Sequence, residues 1–304
     1  MLDSGSVKRV LDLWNISLAQ LLPADTIPGS PERCKHRLAF ADRDGHRFIL
    51  EQLDPISFNR KMTIAERLDQ LARSNLTVTP YCQGSDGNWV QKLKGACWQL
   101  SPYVDGIRLD RTSYFRDAWR GEAVGHFLAD LSNATCGWTL EEPFFSMAGF
   151  IDNLMASISR SDPLLIPEVN PIYEFLRKRL YPVIDDLPIT FGHGDPHPLN
   201  TIWGEDCINS VIDWEFCGWK PKLYDAALVA GCVGAEAPEA REAEFVSSFL
   251  RTLRQTGLLS LEDMALFPLF VLAVRFGWLS EWLRKKDDEM IDFELFYMRL
   301  LMDT

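Results

Sequence analysis

The sequence predicts an α+β protein whose strand-rich first third precedes a mostly helical remainder. Two observations carry this. Short apolar runs punctuated by Asp-Gly pairs fill the stretch from His36 to Leu93, and stretches with apolar side chains at helical spacing fill most of the chain after Thr112.

Residues 7–22, "VKRVLDLWNISLAQLL", carry that helical spacing and predict an opening helix. After the breaker "PADTIPGSPER", the run "HRLAFADRDGHRFILEQL" reads as two strands joined at Asp44-Gly45, a strong hairpin signal. "SFNRKMTIAERLDQLARSN" then predicts a helix with Ile64, Leu68 and Leu71 on one face. A second strand pair, "VTPYCQGS" and "NWVQKL", is expected to meet at Asp86-Gly87, followed by "GACWQLSPYVDG". Helices should follow in "YFRDAWRGEAVGHFLADLSN", "SMAGFIDNLMASISR" and "PIYEFLRKRLYPVIDDL". Loop and short strands interrupt between Ile189 and Cys217, and helix resumes to "FELFYMRLLMDT". There is no internal repeat and no low-complexity tract.

With 304 residues, 47% hydrophobic and 12% aromatic, the chain can bury one large core or two smaller ones. A formal charge of −12 argues against a nucleic-acid partner, since such proteins concentrate Lys and Arg on one face. No run of eighteen apolar residues occurs, and the first residues lack the pattern of a signal peptide, so a cytoplasmic protein without a membrane partner is expected, as monomer or homodimer. The seven cysteines are scattered singly with no CxxC pair, which fits reduced core residues better than disulfides or zinc.

The chemistry concentrates in "FGHGDPHPLN", Phe191 to Asn200, and in the "IDWE" that follows. A loop bent by two glycines and two prolines gives up regular backbone hydrogen bonds, and such loops often carry function on a rigid scaffold. Asp195 offers a proton acceptor, and Asn200 offers an amide oxygen suited to a hard cation. "TIW" and "SVI" read as a hairpin around residues 204–209 that returns Asp213 beside Asn200. Two oxygen ligands of this kind, with phosphate oxygens, suit magnesium. Taken singly, each of these residues is ordinary turn chemistry. Their joint spacing is what carries the reading.

HGDxHxxN followed by a short hairpin and IDWE resembles the aminoglycoside phosphotransferase and choline kinase superfamily, small-molecule relatives of the protein kinases. The order of elements resembles that family along nearly the whole chain. The resemblance implies a two-lobe protein-kinase-like fold with its active site in the cleft. It implies a nucleotide lobe over residues 1–100, a linker over 101–106 and a helical lobe over 107–304. It further implies transfer of the γ-phosphate of ATP, or of GTP, to a hydroxyl of a small molecule: an amino sugar, a sugar, an amino alcohol or an aminoglycoside-like compound. Asp195 matches the catalytic aspartate, Asn200 and Asp213 match the Mg2+ ligands, and His193 matches the histidine that braces the loop, with His197 in a supporting position. Asp225 matches an aspartate that caps a helix and ties it to the loop. In "WQLSPYVDG" the linker backbone, Leu100, Tyr103 and Val104 above all, would meet the purine, with Gly106 as a turn glycine.

One lobe departs from the family pattern. Where a strand lysine or arginine normally reaches the phosphates, "RFILEQL" offers Glu51 and Gln52. Lys35, Arg37, Arg47 and Lys61 are the nearby substitutes, with Glu66 as the helix partner, and the phosphate loop offers only Gly29 and Ser30. Aromatic faces for the acceptor are available from Trp138, Phe144, Phe145, Trp214, Trp219, Trp278 and Trp282. The departure at Glu51 and Gln52 leaves a second expectation, a nucleotide-binding pseudokinase acting as sensor or scaffold.

Overall fold

Strand alternation organises the first part of the chain. In Arg47–Leu53 the side chains of Phe48 and Leu50 fall on one face of the sheet, and those of Ile49, Glu51 and Leu53 on the other. The first face is covered by the opening helix, where Val7, Val10, Leu11 and Trp14 pack with Phe40, Leu50, Trp98 and Leu100. On the second face Leu53, Val90 and Cys97 form a smaller core against Phe58 and Met62.

The computed structural model describes residues 4–23, 34–141, 143–237 and 239–303. In chain order its elements begin with α1 (Ser4–Leu11), β1 (Leu18–Leu21), β2 (His36–Asp42), β3 (Arg47–Leu53), α2 (Phe58–Arg73), β4 (Val90–Leu93) and β5 (Ala96–Pro102). Next come α3 (Ala118–Ala134), α4 (Met147–Ser161), α5 (Ile166–Arg179), α6 (Tyr181–Ile184), β6 (Ile189–Gly192), β7 (Thr201–Trp203) and β8 (Ile208–Val211). The chain continues through β9 (Gly218–Pro221), α7 (Tyr224–Gly234), α8 (Glu244–Gln255), α9 (Leu261–Lys285) and α10 (Asp288–Met302). Contacts divide the chain into two units, Met1–Arg108 with Leu199–Glu215, and Leu109–Pro198 with Phe216–Thr304.

The first unit is built on an antiparallel sheet of order β1-β2-β3-β5-β4. Three expectations change here. The opening helix stops at Leu11, and after a short 3-10 turn Asn15 takes a left-handed conformation that ends it, so that Leu18–Leu21 becomes an edge strand. The turn at Asp86-Gly87 forms, but residues 77–83 do not pair as a strand; Pro80 supplies no N–H to a ladder. The hairpin bends instead at Lys94-Gly95, both in the left-handed region. Finally, the β7–β8 hairpin groups with the first unit. Val211 bridges Val78 in parallel, Trp203 bridges Ile107, and Thr79 Oγ1 and Ser210 Oγ share a hydrogen bond of 2.7 Å.

In the second unit α3 and α8 approach so closely that a Cβ on Gly121 would meet the Phe245 carbonyl oxygen at 2.1 Å. Helix α9 starts with a capping box between Ser260 and Asp263. Although long and apolar enough to cross a membrane, α9 packs along α7 and α10. Arg275 of α9 holds Glu294 of α10 through two bonds of 2.6 Å, both side chains buried, and donates to the Gly231 carbonyl of α7 at 3.2 Å.

Candidate active site

The loop of the helical unit is fixed from below. Strand β6 pairs with β9 up to Gly192 and Gly218, and then the backbone turns sharply. Asp225, buried in the first turn of α7, accepts the His193 N–H at 2.6 Å and the Gly194 N–H at 2.8 Å. Burial pushes the Asp225 carboxyl up, against the pull of those N–H groups and of Lys220. Leu223, without a side-chain bond, occupies the cap of α7, so Asp225 ties the loop to the helix but does not cap it. Gly194 has φ +86°, and a Cβ there would sit 2.2 Å from the Phe216 carbonyl oxygen, so only glycine fits.

His193 is wholly buried, and its Nδ1 accepts the backbone N–H of Asp195 at 3.1 Å. The imidazole is therefore an acceptor toward the loop and braces the residue that follows Gly194. His197 Nε2 lies 3.7 Å from Asp195 Oδ1. The His197 ring is 6.1 Å from that of Trp278, which stacks on Trp282 at 6.0 Å. Elsewhere in this unit Trp138 and Trp219 pack on Phe191, and Phe145 packs on Tyr224, with the Lys220 ammonium 5.2 Å and 5.3 Å from the Phe145 and Tyr224 rings. Trp214 is a core residue of the other unit.

In the strand-rich unit the hairpin brings Asn200 and the IDWE segment onto neighbouring backbone, with Ile212 N donating to the Asn200 carbonyl at 2.8 Å. Asp213 has φ +63°, a left-handed conformation that Asp adopts more readily than most non-glycine residues. Asp213 lines a cavity of about 110 Å³ together with Arg37, Glu51, Lys61, Gln99 and Glu215. Asn200 is buried and is not among the residues lining that cavity; its amide oxygen and the Asp213 carboxylate are donor types of the kind that suit a hard cation such as Mg2+.

The cavity walls are polar by register. Arg37 of β2, Glu51 of β3 and Gln99 of β5 stand on one rung of the sheet. Arg37 Nε pairs with Glu51 Oε1 at 3.0 Å, and Gln99 Nε2 donates to Glu51 Oε2 at 2.5 Å. Opposite them α2 delivers Lys61, whose Nζ pairs with Glu215 Oε2 at 2.6 Å, while Arg60 Nη2 donates to the Glu215 carbonyl at 2.6 Å. Burial alone would lower the Lys61 pKa; Tyr81, Glu215 and Glu51 together raise it. Tyr81, another lining residue, is pushed up to about 12, mainly by burial.

These positions sort the sequence-based candidates. Lys35 lies outside the cavity lining, its side chain 54% exposed and 3.7 Å from Asp54. Among the described residues, Arg37 and Lys61 are the cations that line it. Glu66 is exposed and Glu215 takes the place of lysine partner. Leu100 points away from the cavity into the α1 core, and its carbonyl accepts from Cys82 N, because alternation puts its neighbours Gln99 and Ser101 on the cavity face. Val104 lines the cavity; Tyr103 donates its N–H to the Arg47 carbonyl and stacks under the Arg47 guanidinium. Gly106 is demanded by close approach to Ile202 and not by a turn. Gly29 and Ser30 lie outside the described residues. A signal for Lys61 existed: three residues before Ile64 and seven before Leu68, it shares the buried face of α2.

The model of the phosphotransferase enzyme family, APH, matches residues 36–262. The chain belongs to that family. It is a small-molecule kinase. No curated protein sequence matches it. Among solved structures, it is similar to amicoumacin kinase hAmiN, solved with AMP-PNP, Ca2+ and Ami, at 16% identity and TM-score 0.71, covering 99% of this chain and 94% of that one. It is also similar to the microcompartment-associated aminopropanol kinase, at 18% identity and TM-score 0.67, with coverage of 99% and 95%. The GDP and kanamycin complex of APH(2")-IIia matches at 13% identity and TM-score 0.63, with coverage of 98% of both chains. These likenesses establish the two-part kinase-like fold of this phosphotransferase.

Proposed function

We propose that this phosphotransferase moves the γ-phosphate of ATP, or of GTP, to a hydroxyl of a small amino alcohol, amino sugar, sugar or aminoglycoside-like acceptor. The loop geometry carries the proposal: three backbone N–H groups, those of His193, Gly194 and Asp195, are bound by Asp225 and His193, which fixes where the Asp195 carboxylate stands. Asp195 accepts the acceptor hydroxyl's proton as the new oxygen–phosphorus bond forms and the bridging bond to the β-phosphate breaks, releasing the nucleoside diphosphate. His193 acts as a positioning residue, being wholly buried.

Asn200 and Asp213 would hold Mg2+, which when bound neutralises phosphate charge. Val104 and the neighbouring linker backbone meet the purine; Leu100 contributes to the core behind it. The stacked Trp278 and Trp282 beside His197 favour an acceptor with a cationic amine or an apolar sugar face.

The test is an acceptor screen with ATP and with GTP in the presence of Mg2+, following nucleoside diphosphate release and phosphorus NMR of the product. Acceptor-dependent release with a new phosphate monoester signal is expected for at least one amino alcohol or amino sugar. A phosphorylated amine, or release unaffected by every hydroxylated acceptor, contradicts the proposal.

A further inference from the structure

We infer that Lys61, delivered by helix α2, is the cation that contacts the nucleotide phosphates in this enzyme, and that Glu215 is the residue that positions it. The inference rests on the nucleotide-dependent reading above and adds to it the source of the charge. Strand β3 presents an acid, Glu51, to the cavity where a phosphate-binding site needs positive charge. Among the described residues, Lys61 and Arg37 are the basic side chains of the lining. Their surroundings distinguish them. Arg37 is bound to Glu51 on its own rung of the sheet, and Glu51 is also bound by Gln99, so this cation belongs to a closed side-chain ladder on the cavity floor.

Lys61 stands instead with the metal-binding segment. Its ammonium pairs with Glu215, two residues beyond Asp213, and both residues line the same cavity as Asp213. The grip is double, because Arg60 takes the Glu215 carbonyl while Lys61 takes the carboxylate. One short segment, Asp213–Glu215, thereby supplies an oxygen donor and orients the lysine. The usual polarity, a basic strand and an acidic helix, is reversed: here the strand is acidic and the helix basic. A lysine ammonium is a compact point charge on a flexible stem, suited to exchanging one carboxylate contact for phosphate oxygens.

Isothermal titration calorimetry with ADP, GDP, adenosine and guanosine tests this on wild type, Lys61→Met, Lys61→Arg and Glu215→Gln. Wild type is expected to bind one of the diphosphates. Lys61→Met should then lose roughly 10- to 100-fold in affinity for that diphosphate, the size of a charge-assisted contact, and keep the nucleoside affinity unchanged. Lys61→Arg should recover part of the loss, and Glu215→Gln should weaken the diphosphate a few-fold, by about 3 to 5 times, without touching the nucleoside. Equal diphosphate binding by wild type and Lys61→Met overturns the assignment to Lys61. Parallel loss of diphosphate and nucleoside overturns it too, by showing a structural role. A wild type that binds neither ADP nor GDP overturns the nucleotide reading itself.

Discussion

Around Gly192–Pro198, backbone groups are held by side chains: two N–H groups fall on the Asp225 carboxylate and a third on His193 Nδ1. In the cavity of the strand-rich unit, side chains are held by side chains: Arg37 on Glu51, Glu51 on Gln99, and Lys61 on Glu215. The difference decides how freely each region can vary. A site fixed through backbone needs its residues at set positions, because moving one by a single place redirects the chain. A site fixed through long side chains tolerates a change of supplier, since a cation can reach the same point from a strand or from a neighbouring helix.

The largest expected contrast is in catalysis. Asp195→Asn should lower kcat by roughly 10²- to 10⁴-fold, the range of a general base, while leaving the dissociation constant for the nucleoside diphosphate unchanged. Steady-state rates paired with calorimetry read both quantities. A fall of under 10-fold would move the base elsewhere.

In stability the two regions should separate next. Asp225→Ala leaves two buried N–H groups without their acceptor, and urea unfolding should show a loss of about 3 kcal/mol. Glu51→Gln, which keeps a polar group beside Arg37 and Gln99 in a cavity that water can enter, should cost about 1 kcal/mol. If the order were reversed, the distinction between backbone-held and side-chain-held sites would collapse.

The weakest case extends the comparison to a side-chain-held group on a helix surface. Glu281 is drawn down to about 2 by hydrogen bonds from Arg284 and Lys285. A depressed carboxyl stabilises the fold above its unfolded pKa and loses that contribution as pH falls through the folded value, so the window runs from pH 4.5 to about 2. With a third of the side chain exposed and salt screening the pairs, Glu281→Gln should change stability by about 0.5 kcal/mol at neutral pH and by nothing measurable near pH 2. A difference that persists at low pH would show that packing, and not charge, sets the effect.

The same contrast explains what could be read from the chain. The loop, hairpin and helix that carry His193, Asp195, Asn200, Asp213 and Asp225 were legible because a backbone turn, a hairpin and a helix start each leave a sequence signature. The α2 face and the β2–β3 hairpin followed from apolar period and an Asp-Gly turn. Lys61, by contrast, was one of four cations offered by the sequence, and only its spacing to Ile64 and Leu68 marks it as facing inward. The side-chain direction of Leu100 follows from the strand running on to Pro102, since strict alternation sends it to the α1 side. Residues 77–83 misled in a different way, being apolar enough for a strand but carrying Pro80, and their hydrogen bonds go to Leu100 and to the β8 edge.

The most direct measurement of the central account is the thermal shift produced by ATP and by GTP, with and without Mg2+, in wild type and Asp213→Asn. We expect one nucleotide to stabilise the wild type strongly only when Mg2+ is present, and the variant to lose that dependence on Mg2+ while keeping its melting temperature in the absence of nucleotide. A wild-type shift that is the same with and without Mg2+, or an Asp213→Asn protein that responds to Mg2+ as the wild type does, would contradict the account.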